Sequence, residues 1–146
     1  MIRLLFLLLA LIGGISVGLQ VSINGKLGKS IGSLEASLVS FLIGTFLLGV
    51  TTLFLGKGNL LAVGNVPKWQ LAGGVIGAFY IFIMVIIVAN VEVTTSLVFV
   101  IAGQILISSI IDHYGWFGGK QVPFTLNRGI GILLLIAALY MFFRKS

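Results

Sequence analysis

Cysteine is absent from the chain and proline occurs only twice. Without thiols there is no disulfide framework and no thiolate metal site. Charge is also short: 9 basic and 3 acidic residues make up 8% of 146, where a soluble domain carries about 25%. That shortage excludes an ordinary water-soluble globule, and the apolar excess excludes a disordered chain. The single histidine has no Cys or Glu at ligand spacing around it, and no nucleophile elbow occurs. The glycine-rich pieces Gly25 to Gly28 and Gly115 to Gly119 lack the strand-to-helix context and the Lys-Ser/Thr ending of a phosphate loop. No enzyme chemistry, catalytic residue, cofactor or metal is therefore expected. What is present is 59% apolar residues, 20 glycines and a mean hydropathy of +1.24. The net charge of +6 would suggest nucleic acid if it formed a hydrated patch, but the basic residues punctuate apolar runs instead. The expected partner is the lipid bilayer and not nucleic acid.

A helix needs about 20 mostly apolar residues to cross the hydrocarbon core. Five such stretches give an all-α membrane protein of one transmembrane domain over 1–146, with spans near 4–24, 34–55, 70–89, 94–111 and 124–143. The polar, glycine-bearing stretch from Gly25 to Gly32 is expected to separate the first two spans. Pro67, Lys68 and Trp69 precede the third, and Asn90 to Val93 reads as a tight turn. Arg3 followed by Leu4 to Ile12 has the outline of a signal peptide. Four further spans follow, however, and no small-residue cleavage site precedes Gln20, so it is read as the first span.

Five spans put the termini on opposite sides of the membrane. The side of the N-terminus then holds Arg3, Lys57, Lys68, Lys120 and Arg128, and the other side Lys26, Lys29, Arg144 and Lys145. Orientation follows the excess of Lys and Arg in short loops, and five against four is a weak bias. Two readings stay open: insertion in both orientations with pairing to an inverted copy, or a weak preference for a cytoplasmic N-terminus.

Small residues mark candidate helix contacts: Gly14 with Gly18, Gly73 with Gly77, and the stripe Ser33, Ser37, Ser40, Gly44. Polar residues in hydrocarbon need a partner or water. Ser16, Gln20 and Asn24 repeat at four-residue spacing in the first span, as do Gln104, Ser108 and Asp112 in the fourth, so each trio shares a helix face. With Tyr80 near the middle of the third span and Phe79 and Phe82 beside it, these residues are expected to line a polar crevice with an aromatic wall. Interhelical hydrogen bonding that merely holds the bundle is the competing reading. Glu35 falls in the first turn of the second helix, where the helix dipole favours a carboxylate, and it is also the candidate for ion coupling. Glu92 falls in the tight turn. Asp112 and His113 end the fourth span within reach of water, and Trp69, Tyr114 and Trp116 suit interfacial anchoring.

The stretch Gly18-Leu-Gln20-Val-Ser-Ile-Asn24-Gly25-Lys-Leu27-Gly28, then Ser40-Phe41-Leu-Ile-Gly44-Thr45 and Gly73-Gly74-Val-Ile-Gly77-Ala-Phe-Tyr80, resembles the YdcZ-like family of the drug/metabolite transporter superfamily. Ala102-Gly103-Gln104-Ile-Leu-Ile-Ser108-Ser109-Ile-Ile-Asp112-His113-Tyr-Gly115 resembles that family's fourth-span signature most specifically. The resemblance runs over nearly the whole chain. It implies a five-span transporter of the bacterial plasma (inner) membrane, in a family that occurs as single chains, as neighbouring gene pairs or as fused ten-span repeats. The last two spans also resemble, more loosely, those of small multidrug resistance transporters, which are antiparallel dimers that exchange cationic compounds for protons through a first-span glutamate. Here the first span carries Gln20 and Asn24 and no carboxylate. An amide does not exchange a proton near physiological pH, so that mechanism is not carried over.

The expectation is a small secondary transporter of organic solutes or metabolites, working by alternating access as a dual-topology antiparallel homodimer. Gln20, Asn24, Tyr80, Gln104, Ser16 and Ser108 are its candidate substrate-binding residues, and two inverted five-span halves would place the site between them. A dual-topology ion channel and a subunit that assembles with a different partner chain are the alternatives.

Overall fold

Inside hydrocarbon every peptide group must be bonded within the chain, which a helix achieves locally. The computed structural model describes residues 2–144 and forms a helix at each apolar stretch: α1 (Ile2–Ile31), α2 (Ser33–Leu55), α3 (Ala72–Asn90), α4 (Val93–Tyr114) and α5 (Leu126–Arg144). All five are long and apolar enough to cross a membrane, α3 together with the turn Lys68–Leu71 that leads into it. No strand occurs among the described residues. Lys145, counted above among the basic residues, lies outside them. The chain forms two compact units, one ending at Val91 and the other beginning at Glu92, within the expected tight turn.

In the first unit the stretch expected to separate two spans is helical. α1 runs through Gly25, Lys26, Gly28 and Lys29 to Ile31, giving 30 residues or about 45 Å, against about 30 Å of hydrocarbon. Glycine in a helix costs roughly 1 kcal/mol relative to alanine, a penalty that packing readily outweighs. Here α3 approaches so closely that a Cβ on Gly25 would overlap the Val88 side chain and one on Gly28 the Val85 side chain. The chain turns instead at Gly32, whose φ of 102° and ψ of 148° favour glycine. Its amide donates to the Gly28 carbonyl at 2.9 Å and its carbonyl accepts from Ala36 at 3.0 Å, so one residue joins α1 to α2. The Glu35 carboxylate occupies the space a Gly32 side chain would need, at the positive end of α2.

The buried residues gather at the end of this unit near Gly32 and Asn90. Val21 comes from α1, Ala36 from α2, and Ile81, Met84 and Val85 from α3; Leu27 and Tyr80 pack against the Ala36, Ile81 and Val85 cluster. Toward the other end, α1 from Ile2 to Val17 and α2 from Thr45 onward are left uncovered by the other helices of this unit. Of the contact faces read from the small residues, the serine stripe meets its neighbours at Ser37 and Ser40, whereas the glycine positions are open within this unit. A Cβ at Gly14, Gly44 or Gly73 meets nothing within 4 Å, and one at Gly77 meets only the Phe41 ring at 3.7 Å. Close approach falls to Gly25 and Gly28, because spacing shows where helices can approach but not which helix arrives.

In the second unit α4 ends on Gly115, whose φ of 64° is the left-handed conformation of a helix C-terminus. The segment that follows returns along α4: the Val122 amide donates to the Asp112 carbonyl at 2.8 Å, and the Phe124 amide to His113 Nδ1 at 3.2 Å. Tyr114 stacks on Trp116 with ring centroids 5.7 Å apart. α5 then packs against α4 without fully burying any of its own residues.

The tight fit of α1 on α3 is open to a double-mutant cycle. Gly28→Ala is expected to destabilise the detergent-solubilised protein by about 1–3 kcal/mol through overpacking against Val85. Adding Val85→Ala removes the overlapping methyl groups, so the double variant should lose less than the sum of the singles in denaturant unfolding.

Candidate functional site

A hydroxyl in an apolar helix usually satisfies itself by bonding to a carbonyl one turn back. Ser16, Ser22, Ser37, Thr51, Ser108 and Ser109 all do so, at 2.7 to 3.1 Å. Ser40 on α2 does otherwise. Its hydroxyl donates across to Asn24 Oδ1 on α1 at 2.5 Å. Asn24 is only 4% exposed, and its Nδ2 has no hydrogen-bond partner. The Tyr80 hydroxyl on α3 is likewise buried without a partner. A buried polar group left unmatched costs about 1–3 kcal/mol, so the first unit carries two such costs in its packed end.

The remaining candidates are placed differently. Ser16 and Gln20 lie on α1 ahead of Asn24, and both are uncovered by the chain. The expected shared face of Ser16, Gln20 and Asn24 is therefore buried only at Asn24. Gln104 and Ser108 lie on α4 in the second unit, also uncovered. Ser108 borders a groove of about 370 Å³ between α4 and α5, with Ile105, Ser109, Asp112, Arg128 and Ile132. Asp112 Oδ2 accepts from the Arg128 guanidinium at 3.3 Å, with the two side chains 46% and 35% exposed. A pair this exposed contributes at most about 1 kcal/mol in water. Glu35 is exposed beside Gly32 at the end of α2, consistent with its helix-end placement.

Two side chains that bond across helices are not marked as such in the sequence: Ser40 reads as a packing residue and Arg128 as a topology signal. A clue to the first was available: Asn24 and Ser40 stand eight residues before and eight after Gly32, so a hairpin hinged there brings them together. Asp112 and Arg128 have no comparable marker, because an irregular return segment separates their helices.

A family model described as "Putative inner membrane exporter, YdcZ" matches residues 5–141. The chain belongs to that family. It is accordingly an inner membrane protein of an exporter family, a class of transporters and not of enzymes. The match takes in each residue of this exporter-family chain discussed above, from Ser16 to Arg128. No curated protein and no solved structure matches the chain.

The distinction between Ser40 and the self-bonded serines is measurable. Ser40→Ala should destabilise the protein by about 1–3 kcal/mol, because it strands Asn24 Oδ1 as well as Nδ2. Ser16→Ala and Ser108→Ala should each stay within about 0.5 kcal/mol of the parent in the same unfolding assay.

Proposed function

We propose that this exporter-family chain is a small secondary transporter of organic solutes or metabolites that works by alternating access as a dual-topology antiparallel homodimer. The observation that carries this reading is the pair of unmatched polar groups, Asn24 Nδ2 and Tyr80 Oη, within membrane-length apolar helices. In hydrocarbon such groups need water or a ligand at some stage of a cycle. Gln20, one turn from Asn24, and Ser16 beyond it extend the polar face along α1. Gln104 and Ser108 supply a second solute-contacting face on α4.

Helix halves that the first unit leaves uncovered suit a further packing partner, since Gly14, Gly44 and Gly73 leave room for another helix to approach. The five-to-four division of basic residues allows one chain to supply both inverted halves. Among the described residues the three carboxylates lie at helix ends or in a turn. The proposed flux is accordingly either facilitated or coupled weakly through Glu35.

In proteoliposomes loaded with a panel of small solutes, saturable efflux should fall at least tenfold in Asn24→Ala, Gln20→Ala and Gln104→Ala while the dimer still assembles. Unchanged flux removes the substituted residue from the site, and single-channel conductance in a planar bilayer overturns alternating access. Topology is read separately. Reporters fused to the C-terminus should report both sides of the membrane in one population, and one added Lys at a loop should move the ratio. A fixed orientation that ignores the added charge rules out dual topology.

A further inference from the structure

We infer that the first unit's polar site selects solutes by the hydrogen-bond acceptors they carry, a carbonyl or carboxylate oxygen, and that Ser40 is the positioning residue that sets this preference. The inference rests on the transporter reading above and adds the chemical class of cargo.

An asparagine amide offers one acceptor oxygen and one nitrogen with two N–H donors, and its environment decides which end is available. In this chain Ser40 makes that decision. Its hydroxyl proton goes to Asn24 Oδ1 instead of to its own helix, which engages one of that oxygen's two lone pairs and sets the direction of the amide. Both N–H groups of Nδ2 then remain, buried and unmatched, and in the same unit the Tyr80 hydroxyl, a donor as well as an acceptor, also lacks a partner. Within the first unit no carboxylate offsets this bias: its one acidic residue, Glu35, is exposed at the Gly32 turn. An ammonium or guanidinium at Asn24 would set donor against donor with no counter-charge. A carbonyl or carboxylate oxygen would satisfy Nδ2 and remove the cost of its isolation. Sites that hydrogen-bond a particular ligand group discriminate strongly against analogues lacking it, because the buried partner is then left unpaired. Ser40 touches Asn24 and need not touch the solute. Its role is to turn the amide.

The test uses four probes of similar size on the full chain. Benzoate and N,N-dimethylbenzamide carry acceptors only, benzamidinium carries donors only, and benzyltrimethylammonium carries neither. Binding is read by thermal stabilisation of purified protein and by the ¹⁵N side-chain amide signal of Asn24, assigned through its absence in Asn24→Asp. The expected result is at least tenfold tighter binding of benzoate and N,N-dimethylbenzamide, with a shift of the Asn24 signal. Asn24→Asp, which replaces the donors with a carboxylate, should reverse the preference toward benzamidinium by at least tenfold. Ser40→Ala should erase the discrimination and Ser40→Thr should retain it, a contrast that a merely structural hydroxyl would not produce.

Tighter binding of benzamidinium by the parent protein would mean that Oδ1 faces the solute; it overturns the inference and leaves the transporter reading standing. An Asn24 signal that ignores all four probes but shifts when the dimer is diluted also overturns it, assigning Nδ2 to a contact between copies. Absence of saturable efflux across the wider solute panel overturns the transporter reading itself, and the inference with it.

Discussion

Hydrocarbon offers no hydrogen-bond partner, and each feature of this protein follows from that condition. Backbone groups meet it by forming helices, and several hydroxyls meet it by bonding one turn back along their own helix. Among the described residues, two buried side-chain groups leave it unmet. Asn24 and Tyr80 keep unmatched groups inside the packed end of the first unit, in a solvent that penalises such groups, and the proposed solute site is built on them.

Glycine governs how that packed end is built. Gly32 lets the chain reverse in a single residue, and Gly25 and Gly28 let valines of α3 press against the α1 backbone. Without an aqueous hydrophobic effect, contact of this kind is what holds helices together in lipid. The same geometry positions the polar chemistry. The turn at Gly32 sets Asn24 opposite Ser40, so one glycine determines both the packing of two helices and the orientation of the amide between them. At the opposite end of the unit the helices have no such contacts and present uncovered apolar and small-residue surface.

Much of this was legible beforehand, for reasons that differ by residue. The five helices follow from apolar length, which needs no knowledge of neighbours. Helix extent was harder: Gly25 to Ile31 looks like a separator because glycine and lysine are poor span residues, yet α3 packs on that stretch and keeps it helical. Gly14 and Gly73 carry the spacing of helix contacts and meet nothing within the chain, whereas Gly28, read as part of a polar loop, lies against Val85. Asn24 and Tyr80 stood out as polar residues in apolar stretches, but Ser40 was indistinguishable from the serines around it.

By itself the sequence determined what each segment costs in each solvent, because transfer free energy belongs to the side chain and its immediate neighbours along the chain. That was enough for a membrane protein of five helices, with its charge at helix ends and in loops and its interior polarity confined to amides, hydroxyls and a tyrosine. Only the tertiary structure decided which polar group meets which. A hydrogen bond between helices depends on the hinge angle and register that bring two distant residues within 3 Å, and Gly32 sets both for Asn24 and Ser40.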